Sequence, residues 1–167
     1  MARVYLSLGS NSRRFYHITQ CLNALSDDYY PLQLSSVFES QSVGFRGNPF
    51  LNMVVGLDTQ EPLAIFSQAM KKLEDQYGRL RGGPKYAPRT LDIDILLFDH
   101  QIGIFDGVEL PRSEILENAF VLWPLSEIAG ELEHPIIQRT YEQLWSAYDK
   151  ASQVLQKVPF EWKGRQL

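Results

Sequence analysis

In APRTLDIDILLFD, residues 87–99, a strand-like run of Leu and Ile carries Asp92 and Asp94 two positions apart. Alternate residues of a strand project to the same face, so both carboxylates are expected on one face and Ile93 and Ile95 on the other. Burying a carboxylate is costly unless it is paired, hydrogen-bonded or bound to a metal. The stretch therefore predicts a strand at the margin of the core that holds a cation.

Mg²⁺ is the cation that this pair of carboxylates favours. It takes few protein carboxylates, keeps several waters and completes its shell with substrate phosphates. A half-exposed strand whose polar face merely carries two acids is the simpler alternative, and Asp-Ile-Asp alone leaves it open.

The segment that leads into this strand concentrates positive charge. Residues 78–89, GRLRGGPKYAPR, hold three arginines and one lysine among glycines and prolines, in a chain with a net charge of −4. Carboxylates for Mg²⁺ beside arginines for phosphate oxygens are typical of phosphoryl transfer. A solvated basic loop is the alternative. Neither GxxxxGK[ST] nor GxGxxG occurs in the sequence, so a nucleotide would be bound without a P-loop or a Rossmann turn.

Composition indicates one globular domain over residues 1–167, with 44% hydrophobic and 22% charged residues. The acidic balance argues against a nucleic-acid partner held by bulk phosphate neutralisation. No apolar run approaches the roughly 18 residues of a membrane span, and the N-terminus is too polar for a signal peptide. We expect a cytoplasmic monomer that binds small molecules and neither membrane nor nucleic acid.

The hydrophobic patterns predict strands that alternate with helices. Besides the Asp-bearing run, strands are predicted at residues 3–10, 32–40 and 50–59, with 101–110 as the hairpin partner of that run. Helices are predicted at residues 15–26 and at 61–77, the second with Leu63, Phe66, Met70 and Leu73 on one face. Further helices are predicted at 113–130, with an interruption near Pro124, and at 140–158 before an edge strand at 158–162. This order favours an α+β fold, a ferredoxin-like α/β/α sandwich with a mostly antiparallel sheet.

APRTLDIDILLF closely resembles the signature of the 6-hydroxymethyl-7,8-dihydropterin pyrophosphokinase family, whose usual form is Gly-Pro-Arg-Thr-Leu-Asp-Leu-Asp followed by apolar residues. LSLGSN, SSVFESQSVG, FLNMVV, LEDQYGRLR and FVLWPLSEIAGEL fall in the family's order and spacing. Only the region after about Pro135 adds little to the resemblance.

The resemblance implies transfer of diphosphate from ATP to the hydroxymethyl oxygen of the pterin, with release of AMP. It implies two Mg²⁺ ions held by Asp92 and Asp94, and ATP as co-substrate. The catalytic residues that it implies are Arg79, Arg89, Asp92 and Asp94.

The resemblance also assigns the two substrate sites. The implied ATP-binding residues are Glu74, Arg81, Arg89, Ile95, Arg112 and Asn118. The implied pterin-binding residues are Ser40, Val43, Phe50, Asn52, Tyr86 and Phe120, which supply aromatic faces and an amide for a flat polar heterocycle. Periodicity alone favours a core position for Phe50 and for Phe120.

Four positions depart from the family pattern: Ser42 replaces the usual Pro, Ala87 replaces the usual Gly, and two more lie where the family uses side chains on the nucleotide. Where the family usually has a His and, six residues later, an Arg, this sequence has Arg112 and Asn118. A hydrogen bond to a charged group contributes about 1.5 to 3 kcal/mol. Asn118 in place of the usual Arg is therefore expected to weaken ATP binding by roughly tenfold to a hundredfold. The alternative function is a divergent homologue that binds pterin or nucleotide with altered substrate or little turnover.

A binding module is the rival interpretation from another class. Gly44-Phe45-Arg46-Gly47 superficially resembles the GXXG clamp with which KH domains hold RNA. A four-residue match is weak, and the acidic charge disfavours RNA. The paired aspartates favour catalysis over binding alone.

Overall fold

The computed structural model describes residues 1–40, 48–78 and 90–167. In chain order its strands are β1 (Ala2–Ser10), β2 (Gln33–Leu34), β3 (Val37–Ser40), β4 (Phe50–Thr59), β5 (Asp92–Phe98), β6 (Gly103–Phe105), β7 (Val108–Leu110), β8 (Gln156–Val158), β9 (Glu161–Trp162) and β10 (Arg165–Gln166). The helices are α1 (Arg14–Tyr29), α2 (Leu63–Gln76), α3 (Glu114–Glu117), α4 (Ala119–Ala129) and α5 (Tyr141–Ala147). Among the described residues, no helix has the length and apolar character needed to cross a membrane.

The main sheet has the order β5-β1-β4-β3-β8, with β2 also paired to β4, and its described pairings are antiparallel. The predicted strand 32–40 is split into β2 and β3 at Ser35. The backbone N–H of Ser35 donates to the carbonyl of Val54 (3.1 Å), and its hydroxyl accepts the N–H of Val54 (2.9 Å). The Ser35 side chain thus replaces a backbone acceptor where the strand is interrupted.

One face of the sheet is covered by α1 and α2. The predicted apolar face of α2 is confirmed, since Leu63, Phe66, Met70 and Leu73 are all buried. Cys21 lies on the inner side of α1 and is fully buried. Together with the inward residues of β1, β4 and β5, these side chains form the larger hydrophobic core.

The opposite face is covered by α4 and α5. The second core joins Tyr5 and Val54 of the sheet to apolar residues of both helices. A register irregularity between β1 and β5 brings two consecutive residues, Leu96 and Leu97, into this core. Helices on both faces of an antiparallel sheet confirm the predicted α+β sandwich.

The predicted pairing of residues 101–110 with the Asp-bearing strand is wrong. β6 and β7 instead pair with each other in a separate two-stranded sheet. Asp106 and Gly107 connect them and both have positive φ, 53° and 80°, as a tight two-residue hairpin requires. A two-residue turn brings β6 and β7 next to each other, so these two strands pair together.

The helical stretch 113–130 is interrupted at Asn118 and not near Pro124. Asn118 is extended (φ −113°, ψ 124°) and ends α3 just before α4 begins, whereas Pro124 lies buried inside α4. Pro124 lacks the N–H that would bond to the carbonyl of Phe120, but α4 continues through it to Ala129. The break therefore follows the backbone conformation of Asn118.

The C-terminal helix is shorter than predicted. α5 ends at Ala147, and β8 adds the edge strand beside β3 at residues 156–158 in place of 158–162. Tyr148 is extended, its ring stacks on Trp145, and its hydroxyl donates to the carbonyl of Glu117 (2.8 Å). These contacts to α3 and within the C-terminal segment end the helix, and a local pattern does not reveal them.

Candidate active site

A polar row crosses the face of the sheet that α4 covers in part. The register places Asp92 opposite Gly9, and Gly9 opposite Asn52. Directly opposite residues of antiparallel strands point to the same face. A Cβ at Gly9 would lie 3.2 Å from Oδ1 of Asn52 and 3.8 Å from the ring of Phe50. The missing side chain at Gly9 therefore leaves room for the Asn52 carboxamide between β4 and Asp92.

The predicted alternation in β5 is confirmed. Ile93 and Ile95 are each 6% exposed, whereas Asp92 and Asp94 are half-buried. Asp94 lies opposite Ser7, and its side chain is 38% exposed. Two carboxylates thus share the partly open face of an otherwise apolar strand.

Arg112 lies beside these carboxylates. Its backbone N–H donates to the carbonyl of Leu96 (3.0 Å), which fixes the segment after β7 against the outer edge of β5. Its Nη2 lies 3.5 Å from Oδ1 of Asp94, and its Nε and Nη2 donate to Oε1 of Glu114 at 2.9 and 2.7 Å. Burial lowers the pKa of the Arg112 guanidinium, but the charges of Asp94 and Glu114 outweigh it and leave that pKa raised. Arg112 is a permanent cation at this site.

A cavity of about 200 Å³ opens at the outer edge of β5, between α2 and the β6–β7 turn. Its lining residues are Ser67, Met70, Lys71, Glu74, Ile93, Asp94, Ile95, Gly107, Val108 and Arg112. The structure thus brings together Glu74, Ile95 and Arg112, three of the predicted ATP-binding residues. Lys71 lies one helical turn before Glu74, a spacing that could have identified it. Gly107 and Val108 were not predicted to line the cavity, because their segment was expected to pair with β5.

Glu74 has a structural contact within this cavity. It is 6% exposed, and its Oε2 accepts the backbone N–H of Ile93 (2.7 Å). β5 is the last strand of the sheet, so this N–H points away from β1. The carboxylate therefore fastens the end of α2 to the sheet edge.

The predicted pterin residues of β3 and β4 lie together. Ser40 is opposite Phe50, and Nδ2 of Asn52 donates to the hydroxyl of Ser40 at 2.6 Å. Both polar side chains are buried, at 4% exposure for Asn52 and 8% for Ser40. Phe50 is half-buried at the first position of β4. Phe120 is half-buried in the first turn of α4, where it packs against the second core, as periodicity predicted.

Asn118 lies apart from the residues that line the described cavity. Its Nδ2 donates to Oε2 of Glu114 (3.2 Å), and its Oδ1 accepts from Nε2 of Gln153 (3.0 Å). Oε1 of Gln153 accepts the N–H of Ala119 (2.8 Å). Gln153 was not predicted, because its contacts join positions more than 30 apart in the chain. Glu114 was not predicted either, although its spacing of four residues from Asn118 could have identified it.

The remaining predicted site residues lie outside the described part of the chain: Val43, Arg79, Arg81, Tyr86 and Arg89. The segment with the GXXG-like match, residues 44–47, lies there too.

The carboxylates of β5 fit a magnesium site. Within residues 1–40, 48–78 and 90–167, no group of three or more His, Cys, Asp or Glu side chains is placed to hold a metal by itself. Mg²⁺ needs only one or two carboxylates when phosphates and waters complete its shell. Asp92 and Asp94 supply hard oxygen ligands at the open face beside the cavity.

Comparison with known proteins identifies a family that this chain resembles over most of its length. A family model described as 7,8-dihydro-6-hydroxymethylpterin-pyrophosphokinase (HPPK) matches residues 5–130. The 2-amino-4-hydroxy-6-hydroxymethyldihydropteridine pyrophosphokinase of Aquifex aeolicus (strain VF5) is 33% identical over 146 residues, 86% of this chain and 90% of that protein. The enzyme of the same name from Pseudomonas aeruginosa is 34% identical over 137 residues, 80% of this chain and 84% of that protein.

Solved structures with a similar fold include wild-type HPPK-DHPS of Plasmodium falciparum. It superposes with a TM-score of 0.71 at 13% identity, over 99% of this chain and 50% of that chain. This chain therefore spans about half the length of that solved chain.

Proposed function

Because the chain belongs to the 7,8-dihydro-6-hydroxymethylpterin-pyrophosphokinase (HPPK) family, whose members are ATP-dependent diphosphotransferases, we propose that Asp92 and Asp94 are its catalytic carboxylates. The reaction transfers diphosphate from ATP to the hydroxymethyl group of 6-hydroxymethyl-7,8-dihydropterin and releases AMP. The observation that carries the proposal is the placement of both carboxylates on the partly open face of β5, where Asp94 lines the cavity and Asp92 begins the row that ends at Asn52.

We propose that Asp92 and Asp94 hold two Mg²⁺ ions. When bound, the ions would neutralise the charge that develops on the phosphate oxygens. The carboxylates would hold the ions beside both proposed substrate sites. Both carboxylates are half-buried on an otherwise apolar strand, which supports a fixed position for them.

We propose that the cavity beside β5 receives the nucleotide. Arg112 and Lys71 supply positive charge at its two sides, which suits the phosphates of ATP. The open edge of β5 at Ile95 offers backbone groups to a base, and apolar Met70 and Val108 offer it a surface. Asn118 contributes through Glu114 and not by direct contact with the cavity.

We propose that the pterin binds over the row at Gly9. Asn52 has an amide that suits the polar edge of the heterocycle, and Ser40 holds that amide in place. Phe50 and Phe120 would provide the aromatic faces. The absence of a side chain at Gly9 lets the Asn52 carboxamide lie close over the sheet, where it could meet the edge of the ring.

Five further residues complete the proposal on the strength of the resemblance alone. Arg79 and Arg89 would contact the transferring phosphates, with Arg81 on the nucleotide, and Val43 and Tyr86 on the pterin. We also propose one domain over residues 1–167, which the packing of helices on both faces of one main sheet supports. We propose that this domain works as a monomer. A cytoplasmic location is proposed because ATP is the co-substrate.

The products test the function directly. Phosphorus NMR of the purified protein with ATP, Mg²⁺ and the reduced pterin is expected to show AMP and a pterin diphosphate in equal amounts. Formation of ADP would mean transfer of a single phosphoryl group and would contradict the proposal. Absence of product, with both substrates bound at micromolar concentrations in titration calorimetry, would support the divergent binding homologue instead.

A further inference from the structure

Glu114 occupies a position that the proposed reaction does not explain. This first residue of α3 lies between Arg112 and Asn118, and its carboxylate accepts hydrogen bonds from both. Oε1 receives Nε and Nη2 of Arg112, and Oε2 receives the amide of Asn118. One acidic side chain therefore connects Arg112 and Asn118, two of the positions at which this chain departs from its family's usual pattern.

The distances around Arg112 are unequal. Nη2 lies 2.7 Å from Glu114, the length of a strong charge-assisted hydrogen bond, but 3.5 Å from Oδ1 of Asp94. The backbone of Arg112 is fixed by its hydrogen bond to Leu96. Rotation about the side-chain bonds of Arg112 therefore determines how far the guanidinium lies from each of these two carboxylates. Glu114 takes the close contact and leaves the pair with Asp94 long.

Glu114 is itself held from the far side. Asn118 donates to Oε2 of Glu114 and accepts from Gln153, and Gln153 is fixed by the backbone N–H of Ala119. The continuous series of polar contacts runs from Asp94 through Arg112 and Glu114 to the C-terminal segment. The orientation of the Glu114 carboxylate is thus set before any substrate binds.

We propose that Glu114 is a positioning residue that holds the Arg112 guanidinium off Asp94, so that Arg112 faces phosphate without competing with the divalent cation for that carboxylate. The proposal rests on the proposed function, which assigns Asp94 to the metal. Without the charge of Glu114, the guanidinium closes on Asp94 and opposes the approach of a cation. Binding of the cation to the nucleotide complex then weakens.

The test measures metal binding and not activity. Mn²⁺ is titrated into the protein saturated with the non-hydrolysable α,β-methylene analogue of ATP, and unbound Mn²⁺ is followed by electron paramagnetic resonance. Glu114→Gln is expected to weaken Mn²⁺ about fivefold, the scale of one partly exposed ion pair. Glu117→Gln, on the exposed side of the same short helix, is the matched control and is expected to leave Mn²⁺ binding unchanged.

A second pair of variants isolates the route through Arg112. The double variant Arg112→Gln with Glu114→Gln is expected to regain most of the Mn²⁺ affinity, because the competing guanidinium is gone. Glu114→Asp keeps the charge and is expected to lie between wild type and Glu114→Gln. Thermal unfolding of each variant reports folding independently.

Two results would overturn the inference: wild-type Mn²⁺ affinity in folded Glu114→Gln, or a double variant as weak as the single one. Asp94→Asn in the same titration separates this failure from failure of the proposed site. If Asp94→Asn weakens Mn²⁺ and Glu114→Gln does not, only the positioning role is lost. If neither does, the metal assignment to Asp94 is wrong as well.

Discussion

The two faces of β5 show how one strand serves both the core and the site. Ile93 and Ile95 point into the core under α1 and α2, whereas Asp92 and Asp94 point to the other face. Two residues further on, Leu96 and Leu97 enter the second core under α4 and α5. The polar part of this face thus lies where the apolar cover of the helices ends. Core residues and candidate site residues therefore alternate along β5. Substitutions on the core face should change stability, and substitutions on the polar face should change activity.

The largest expected effect is on the polar face. Asp94→Asn keeps the size of the side chain but removes the charge on which Mg²⁺ depends, so turnover is expected to fall by about a hundredfold or more. The urea midpoint of unfolding should stay close to that of wild type, because the side chain is partly exposed. Steady-state kinetics at saturating ATP and pterin measure the first quantity.

Asp58→Asn is the matched control for this prediction. Asp58 is an exposed carboxylate near the opposite end of the sheet, where it pairs with Arg3 at 3.4 Å. The same substitution there is expected to leave turnover unchanged. Equal turnover in wild type and Asp94→Asn at limiting Mg²⁺ would contradict the assignment of Asp94 to the metal.

A smaller effect is expected one strand away on the same face. Gly9→Ala adds a methyl group 3.2 Å from Oδ1 of Asn52, tighter than ordinary contact, and Asn52 cannot easily move because Ser40 holds it. We expect KM for the pterin to rise about fivefold, since the displaced hydrogen bond of Asn52 contributes on the order of 1 kcal/mol. KM for ATP should change little.

Initial rates with each substrate varied in turn test this prediction. An equal rise of both KM values would mean that the methyl group disturbs the whole sheet. An unchanged KM for the pterin would place the heterocycle away from Gly9.

The local part of this architecture was predictable from the sequence. Alternation in β5 and the apolar spacing of α2 depend on neighbouring residues, so Asp94 and Phe66 were assigned to the correct faces. The predicted break near Pro124 was wrong, because the backbone turns at Asn118. The length of α5 was wrong because Tyr148 bonds to a distant carbonyl.

The candidate site divides in the same way. Strand pattern and family resemblance together pointed to Asp92 and Asp94, and the resemblance to Ser40 and Asn52. Contacts that join distant segments, such as Gln153 to Asn118, leave no periodic signal in the sequence. The role of Glu114 depends on a comparison of two distances to one guanidinium, which only coordinates provide.

The smallest expected effect is on the apolar face of β5. Ile93→Val removes one methyl group from a side chain that is 6% exposed in the larger core, so the free energy of unfolding should fall by about 0.5 to 1.5 kcal/mol. Val is also β-branched and keeps the strand conformation, and the bond from the backbone N–H to Glu74 does not depend on the side chain. The adjacent carboxylates should therefore keep their positions, and kcat and both KM values should match those of wild type. Urea unfolding and steady-state kinetics on the same preparation measure both sides of this expectation. A tenfold loss of turnover with unchanged stability would show that the two faces of β5 are coupled, and the separation inferred from Ile93 and Asp94 would fail.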